Sequence, residues 1–256
     1  MMKRTYHLKC EDMPECVLLC GRRKRAREII RRVDGKVIQD EDYLLGTGRF
    51  NGRGVAICSH GIGGPSVAIV VRELAFLGGR RFIRVGTAGA LHRRVQIGDV
   101  VIPVAAVRDD GSEHLAPIEF PAIASPSLLG ALIERAGRTI PEDRLHIGIV
   151  HSKYDFYSEI PRLTLDEKKT RKMWENLRNL GVLCSEMECG VLFTCCALLS
   201  SQMKKGIECA SILVPVGRVE EEPYASDPIL QKKSETAMKT AIDVALHALT
   251  GTRSGT

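Results

Sequence analysis

The run Arg81-Phe82-Ile83-Arg84-Val85-Gly86-Thr87-Ala88-Gly89-Ala90-Leu91 sets a cation inside an apolar segment and follows it with two glycines and a threonine. An unpaired guanidinium is costly to bury, so Arg84 requires an anionic partner. Gly86 and Gly89 let backbone amides come close to a ligand, and Thr87 adds a hydroxyl. Guanidinium, hydroxyl and bare amides together form an oxyanion site suited to inorganic phosphate or a phosphoryl group. The competing reading is a plain strand-to-loop turn with Arg84 paired to a structural carboxylate. A second anion site is suggested upstream, where Cys16-Val17-Leu18-Leu19-Cys20 reads as a buried strand and Gly21 as a turn. From Arg22 onward a helix begins in a basic cluster of Arg22, Arg23, Lys24, Arg25, Arg27, Arg31 and Arg32. Arginines beside a helix N-terminus attract anions, and two such sites at strand ends imply one shared pocket.

Two further segments carry chemistry. In Cys184-Ser185-Glu186-Met187-Glu188-Cys189 two carboxylates flank a methionine at the entry of an apolar helix, where charge must be satisfied. Carboxylates gripping vicinal sugar hydroxyls, with Met187 under the ring, would satisfy it. Acidic residues complementing the helix dipole are the alternative. Gly61-Ile62-Gly63-Gly64-Pro65-Ser66 lies between a strand and a helix. It has neither the dinucleotide fingerprint nor the Lys-Ser/Thr ending of a P-loop, and implies only that something approaches the backbone closely.

The elements that must position these residues alternate between apolar strand-like runs and amphipathic helical patterns, which argues for an α/β fold in a single domain. Strands are expected at residues 17–20, 54–59, 81–86, 99–107, 146–151 and 210–216. Helices are expected at 66–77 with Ser66 as its cap, and from a Thr164–Glu167 capping box to 180, where Gly181 stops it. Two more are expected at 187–200, apolar nearly all round, and at 227–249. The domain spans residues 1–250 and a polar tail 251–256, without internal repeat or linker.

At 256 residues the chain can bury a full core, and no apolar run nears the roughly 20 residues that span a bilayer. The opening residues lack the apolar stretch of a secretory signal, so a cytoplasmic protein without a membrane partner is expected. Nine cysteines with no Cys-x-x-Cys pair fit free, buried thiols in a reducing compartment rather than disulfides or a zinc site. The net charge of +6 comes largely from the basic cluster, yet no aromatics interleave with it to stack bases. Nucleic acid is not the expected partner.

Taken in order, Gly61 to Ser66, Arg84 to Ala90, Ala116-Pro117-Ile118-Glu119-Phe120-Pro121-Ala122, Phe156-Tyr157 and Glu186-Met187-Glu188 resemble the motifs of nucleoside phosphorylases, in particular the uridine phosphorylase branch. The resemblance runs from about His7 to the C-terminal helix. It implies a mixed, partly barrel-like central sheet flanked by helices, and phosphorolysis of a ribonucleoside through an oxocarbenium-like transition state. No organic cofactor is implied; inorganic phosphate is the co-substrate and a nucleoside the substrate. Gly21, Arg25, Arg84 and Thr87 match the phosphate-binding positions. Met187, Glu188, Thr87 and His7 match the ribose-binding ones, His7 reaching the neighbouring subunit's ligand. Phe156, Arg162, Gly89 and Arg218 match the base-binding positions. The resemblance further implies a homodimer at least, with trimers of dimers among relatives, and a cation at the dimer interface held by Asp42 and Ser66. Val214-Pro215-Val216-Gly217 lacks the acid that a purine enzyme of the family would carry, which favours uridine, with deoxyuridine and thymidine as further candidates.

Three departures bear on this. Ile160 stands where the family has a uracil-binding glutamine, so that Glu159 or a water would have to take over its hydrogen bonds. The stretch around Val216-Gly217 is longer than usual, which loosens the match of Arg218. Glu41 stands where an arginine would reach the neighbour's phosphate, and the Arg22-Arg23-Lys24 cluster is expected to restore that charge. Two alternatives stay open: a nucleosidase using water with Glu186 as its base, and a catalytically degenerate relative that only binds nucleosides.

Overall fold

Five apolar residues, Cys16–Cys20, form strand β1, which is buried along its whole length because it has a parallel neighbour on each side. The computed structural model describes residues 4–157, 160–203, 206–220 and 226–251; Glu159 and positions 252–256 of the expected tail lie outside them. One neighbour of β1 is β4 (Arg53–Ser59), followed outward by antiparallel β3 (Leu44–Phe50) and the edge strand β2 (Lys36–Asp40). The largely exposed, polar β2 fits an edge position, where charge blunts further pairing. The other neighbour is β5 (Arg81–Ala90).

Beyond β5 the sheet curls and closes. β5 runs parallel to β10 (Glu208–Arg218), β10 touches β6 (Val100–Asp109), and β6 runs parallel to β8 (Leu145–Lys153). β8 pairs with the three-residue β9 (Cys184–Glu186), and β9 returns to β5 at Gly89 and Ala90. These pairings make a five-strand barrel, with β7 (Ala122–Ile123) hung on β6. Among the described residues the helices are α1 (Arg23–Arg32), α2 (Gly64–Leu77), α3 (Pro126–Gly137), α4 (Glu167–Asn179), α5 (Cys189–Met203) and α6 (Pro228–Thr250).

The period of two along the strands divides the core. Val17, Leu19 and Phe82 pack with α2 and α5, whereas Leu18, Ile83 and Val85 pack with α1, α3 and α6. Sealed on both faces, the central strands read as continuous apolar runs. Truncating a leucine such as Leu18 or Leu19 to alanine in this interior would cost about 2–5 kcal/mol.

All six expected strands are present, the one expected from position 99 starting at Val100. One boundary differs where it matters. The stretch from Gly86 to Ala90 is strand, because β10 pairs with it as far as Ala90 and β9 closes its other edge. Helix starts also differ. Gly63 precedes α2 at φ +87°, and Ser66 lies inside the helix, its hydroxyl donating to the carbonyl of His60. Asp166, not Thr164, caps α4 by accepting from the Lys169 amide at 2.9 Å. Helix α5 begins at Cys189, two residues later than expected, because Glu186 ends a strand and caps the helix.

Candidate active site

The strand ends of β1, β5, β9 and β10 surround a cavity of about 170 Å³. Gly21, Arg22 and Arg25 form one wall; Arg84, Gly86, Thr87 and Gly89 of β5 another; Ser185, Glu186, Met187 and Glu188 the third. Lys153, Phe156, Ile160, Val216, Arg218 and Val219 are among the other lining residues.

Arg84 is buried, and its guanidinium lies between two carboxylates. Nη1 is 3.0 Å from Glu186 Oε2, and Nη2 donates to Glu188. Burial alone would lower its pKa, but Glu188 and Glu186 more than offset that and hold it above its ordinary value. Arg84 is therefore paired to carboxylates, and it also lines the cavity. Gly86 makes this packing possible, as a Cβ there would sit 2.6 Å from Arg84 Cζ. Arg25 reaches the carbonyl of Val85 at 3.4 Å, and burial followed by its cationic neighbours Arg22 and Arg84 pulls its pKa down.

The two carboxylates have different employment. Glu186 accepts the amides of Glu188 and Cys189 at 3.0 Å each and the hydroxyl of Ser152, whose oxygen in turn accepts the Gly190 amide at 2.9 Å. With Arg84 as well, every Glu186 oxygen is occupied in fixing the start of α5, which leaves it poorly placed to act as a base toward water. Glu188 accepts the Gly63 amide at 2.8 Å through Oε1, while Oε2 faces Arg84. The glycine motif before α2 thus serves two approaches. Gly63 gives its amide to Glu188, and Gly61, at φ +75°, packs on Gly21, where a Cβ would meet the Gly61 carbonyl at 2.8 Å.

At the opposite end Phe156 carries the Lys153 ammonium 4.9 Å above its ring and Tyr157 edge-on at 5.1 Å. Arg218 donates to Gln96 Oε1 at 2.9 Å while lining the cavity. A wall with two arginines, a hydroxyl and glycine amides, together with a carboxylate and an aromatic ring lining the same cavity, would suit a molecule with a sugar between an anion and a flat ring.

Residues 15–247 match the model of the Phosphorylase superfamily. The chain belongs to that superfamily. It is 33% identical over 242 residues to the uridine phosphorylase of Salmonella typhimurium, covering 92% of each chain. It is 28% identical over 257 residues to the guanosine phosphorylase of Halorubrum lacusprofundi, covering 97% of this chain and 99% of that one. The solved uridine phosphorylase of Vibrio fischeri superposes with a TM-score of 0.78 at 28% identity, over 92% of this chain and 91% of that one. A nucleoside phosphorylase is a pentosyltransferase, and this chain has that fold and family.

Within this phosphorylase the structure gathers Gly21, Arg25, Arg84, Thr87, Gly89, Phe156, Met187, Glu188 and Arg218 around one cavity. Arg162 is not among them. It lies exposed in a single 3-10 turn, Pro161–Leu163, whose preceding residue Ile160 turns into the cavity in its place. His7 is outside the cavity of its own chain, its Nδ1 3.0 Å from Asp42 Oδ2. Asp42 is occupied by that contact and Ser66 by His60 and Tyr43, so the pair fits hydrogen bonding better than cation binding. Glu41 is exposed and its carbonyl accepts from Arg23. The basic cluster divides: Arg22 lines the cavity, while Arg23 and Arg27 pair with Asp40. Lys153 and Ser185 were not legible in sequence as cavity residues. Both sit in short or apolar stretches whose register, not composition, brings them there.

Proposed function

We propose that this phosphorylase cleaves uridine with inorganic phosphate, giving uracil and ribose 1-phosphate. The observation that carries the reading is the juxtaposition of Gly21, Arg25, Arg84 and Thr87 with Glu188 and Phe156 in one cavity. Phosphate would take the donors of Gly21, Arg25, Arg84 and Thr87. There its charge would offset the positive charge growing at the anomeric carbon. Glu188 would accept from the ribose hydroxyls with Met187 beneath the ring. Arg84, already facing Glu188, ties the two subsites together, so that phosphate and ribose are set at a fixed separation before reaction. Phe156 would pack on the base, and Arg218 and Arg162 would stabilise the leaving uracil. For Arg162 this requires its turn to move inward from the exposed position.

The reading includes a homodimer at least, in which His7 serves the partner's site; Asp42 and Ser66, engaged by His7, His60 and Tyr43, are not assigned a cation. It also includes a place for the enzyme in pyrimidine salvage in the cytoplasm, on a domain of residues 1–250 with a short polar tail. The full engagement of Glu186 speaks against the nucleosidase alternative, and the gathered phosphate donors against the purely binding one. The test is base release from uridine, deoxyuridine, thymidine, inosine and guanosine at graded phosphate concentrations. Phosphate-dependent uracil release fastest with uridine is expected. Release independent of phosphate, or faster from guanosine or inosine, overturns the reading.

A further inference from the structure

One polar cluster reaches the cavity from behind and has no part in the scheme above. Ser185 of β9 lines the cavity, and its hydroxyl is 3.0 Å from Nδ1 of His151 on β8. Nε2 of the same ring faces Oδ2 of Asp109, the last residue of β6, at 3.5 Å. Strand register builds the group. His151 stands opposite Ser185 in the β8–β9 pairing and opposite Val107 in the β6–β8 pairing, two residues before Asp109. The imidazole is 1% exposed and meets Trp174 of α4 edge-on at 5.3 Å, which fixes the plane of the ring. Asp109 is 59% exposed, so the carboxylate is set where water can reach it.

Ser185 also has a defined place along the cavity. It is opposite Gly89 on β5, five residues along the strand from Arg84, whose guanidinium folds over Gly86 to meet Glu186, the neighbour of Ser185, at 3.0 Å. That is the end shared with Gly89, away from the strand position that supplies Arg84. The base lies there in the phosphorolysis reading, and no acid is present in Val214 to Gly217 to protonate it.

We infer that Ser185, His151 and Asp109 form a proton-donating triad for the leaving base. The inference rests on the phosphorolysis reading. As the bond from the anomeric carbon to the base nitrogen breaks, its electron pair passes to the base, while a phosphate oxygen forms the new bond to that carbon. Ser185 gives its hydroxyl proton to the base, and Oγ takes the proton of Nδ1 from a doubly protonated His151. The ring stays hydrogen-bonded through Nε2–H to Asp109, whose carboxylate orients it and offsets its charge. The hydrogen phosphate loses its own proton to solvent as it becomes ribose 1-phosphate, and after the base departs one proton returns from solvent through Ser185 to Nδ1, which closes the proton balance. Among the described residues Asp109 from β6 is a charged group facing His151, and Ser185 from β9 and Trp174 from α4 also meet the ring.

The experiment compares uridine with 5-fluorouridine, whose base leaves more readily without a proton, in Ser185→Ala, Ser185→Thr and Asp109→Asn enzyme. With uridine, Ser185→Ala is expected to lower kcat about a hundredfold, the usual scale of a lost general acid, with the phosphate KM unchanged. Ser185→Thr restores most of the rate, and Asp109→Asn, a surface change, lowers kcat about tenfold. Both losses shrink with 5-fluorouridine. Equal losses on the two substrates, or an unchanged kcat in Ser185→Ala, overturn the triad while leaving phosphorolysis intact. A wild-type enzyme without phosphate-dependent base release overturns the phosphorolysis reading, and the triad falls with it.

Discussion

Arg84 is already neutralised by Glu186 and Glu188, so in the proposed reaction the phosphate dianion would be bound by a guanidinium that two carboxylates hold in place. The pairing avoids the cost of burying a lone charge. It also makes Gly86 a residue of catalytic consequence without any functional group of its own. Gly86→Ala would put a methyl 2.6 Å from Cζ of Arg84 and push the guanidinium out of its seat. The expected outcome is a phosphate KM raised about tenfold or more, since one well-placed ionic hydrogen bond is worth about 1.5–3 kcal/mol, with the far-ultraviolet circular dichroism unchanged. Arg84→Ala should be far worse, because it removes the phosphate donor and leaves Glu188 and Glu186 facing each other. A kcat/KM loss of about a thousandfold is expected in steady-state assays. A mild loss in either variant would show that phosphate does not depend on this guanidinium.

At the scale of elements, the site is assembled by the N-terminus of α5, and every donor of its first turn that the structure pairs is taken by a different strand. Glu186 of β9 takes Cys189, Ser152 of β8 takes Gly190, and Asp110 just after β6 takes Val191 at 2.6 Å. Two buried titratable groups stand beside this junction and oppose one another with pH. Burial, reinforced by Arg84, pushes His60 down to about 3, so the unfolded chain takes a proton near pH 6.5 that the folded protein refuses. His60 therefore costs stability progressively as the pH falls below 6.5, by about 2 kcal/mol at pH 5. Burial pushes Asp110 up to about 6, so the folded protein keeps a proton the unfolded chain releases near pH 3.8. Asp110 therefore favours folding as the pH falls from 6 toward 3.8, also by an amount on the order of 1–3 kcal/mol. In urea titrations between pH 7 and 4 the wild-type stability should change little from these two groups. Asp110→Asn should steepen the acid loss, and His60→Gln should flatten or reverse it. Parallel curves for all three proteins would contradict this balance.

The same junction shows what could be read from sequence and what could not. Apolar runs announce β1 and the first half of β5, and the glycines after them mark where backbone approaches backbone. Those are local signals, and together with the family resemblance they named Gly21, Arg25, Arg84, Thr87 and Glu188, which line one cavity. β9 is three residues long and carries Ser185 and Glu186, so no period could separate it from the helix that follows. Glu186 was legible as a charge in need of a partner but not as the cap that delays α5. Ser185, His151 and Asp109 lie on three different strands, and only the register of a closed barrel brings them together. Ile160 lines the cavity at the base-site position expected of it, whereas Arg162 is turned outward by a 3-10 turn, a phase that two residues cannot reveal.

For the molecule as a whole, the position of His7 sets the decisive question, because it lies outside its own cavity beside Asp42, near the chain's start. Ile118, Phe120, Ile123, Ile147 and Ile149 are exposed apolar side chains in the single chain. If His7 serves the partner's ribose, then two defective proteins should repair each other. His7→Ala leaves Arg84 intact in its own cavity, and Arg84→Ala leaves His7 intact for its partner. In a mixed dimer one cavity then combines an intact Arg84 with an intact His7, while the other lacks both. Random pairing of equal amounts should return about a quarter of the wild-type sites, because isologous exchange makes about half the dimers mixed. The measurement is uracil release from the co-expressed variants against the same variants expressed apart and combined without subunit exchange. Activity that never exceeds the mean of the separate proteins would place His7 in its own subunit's function, or in none.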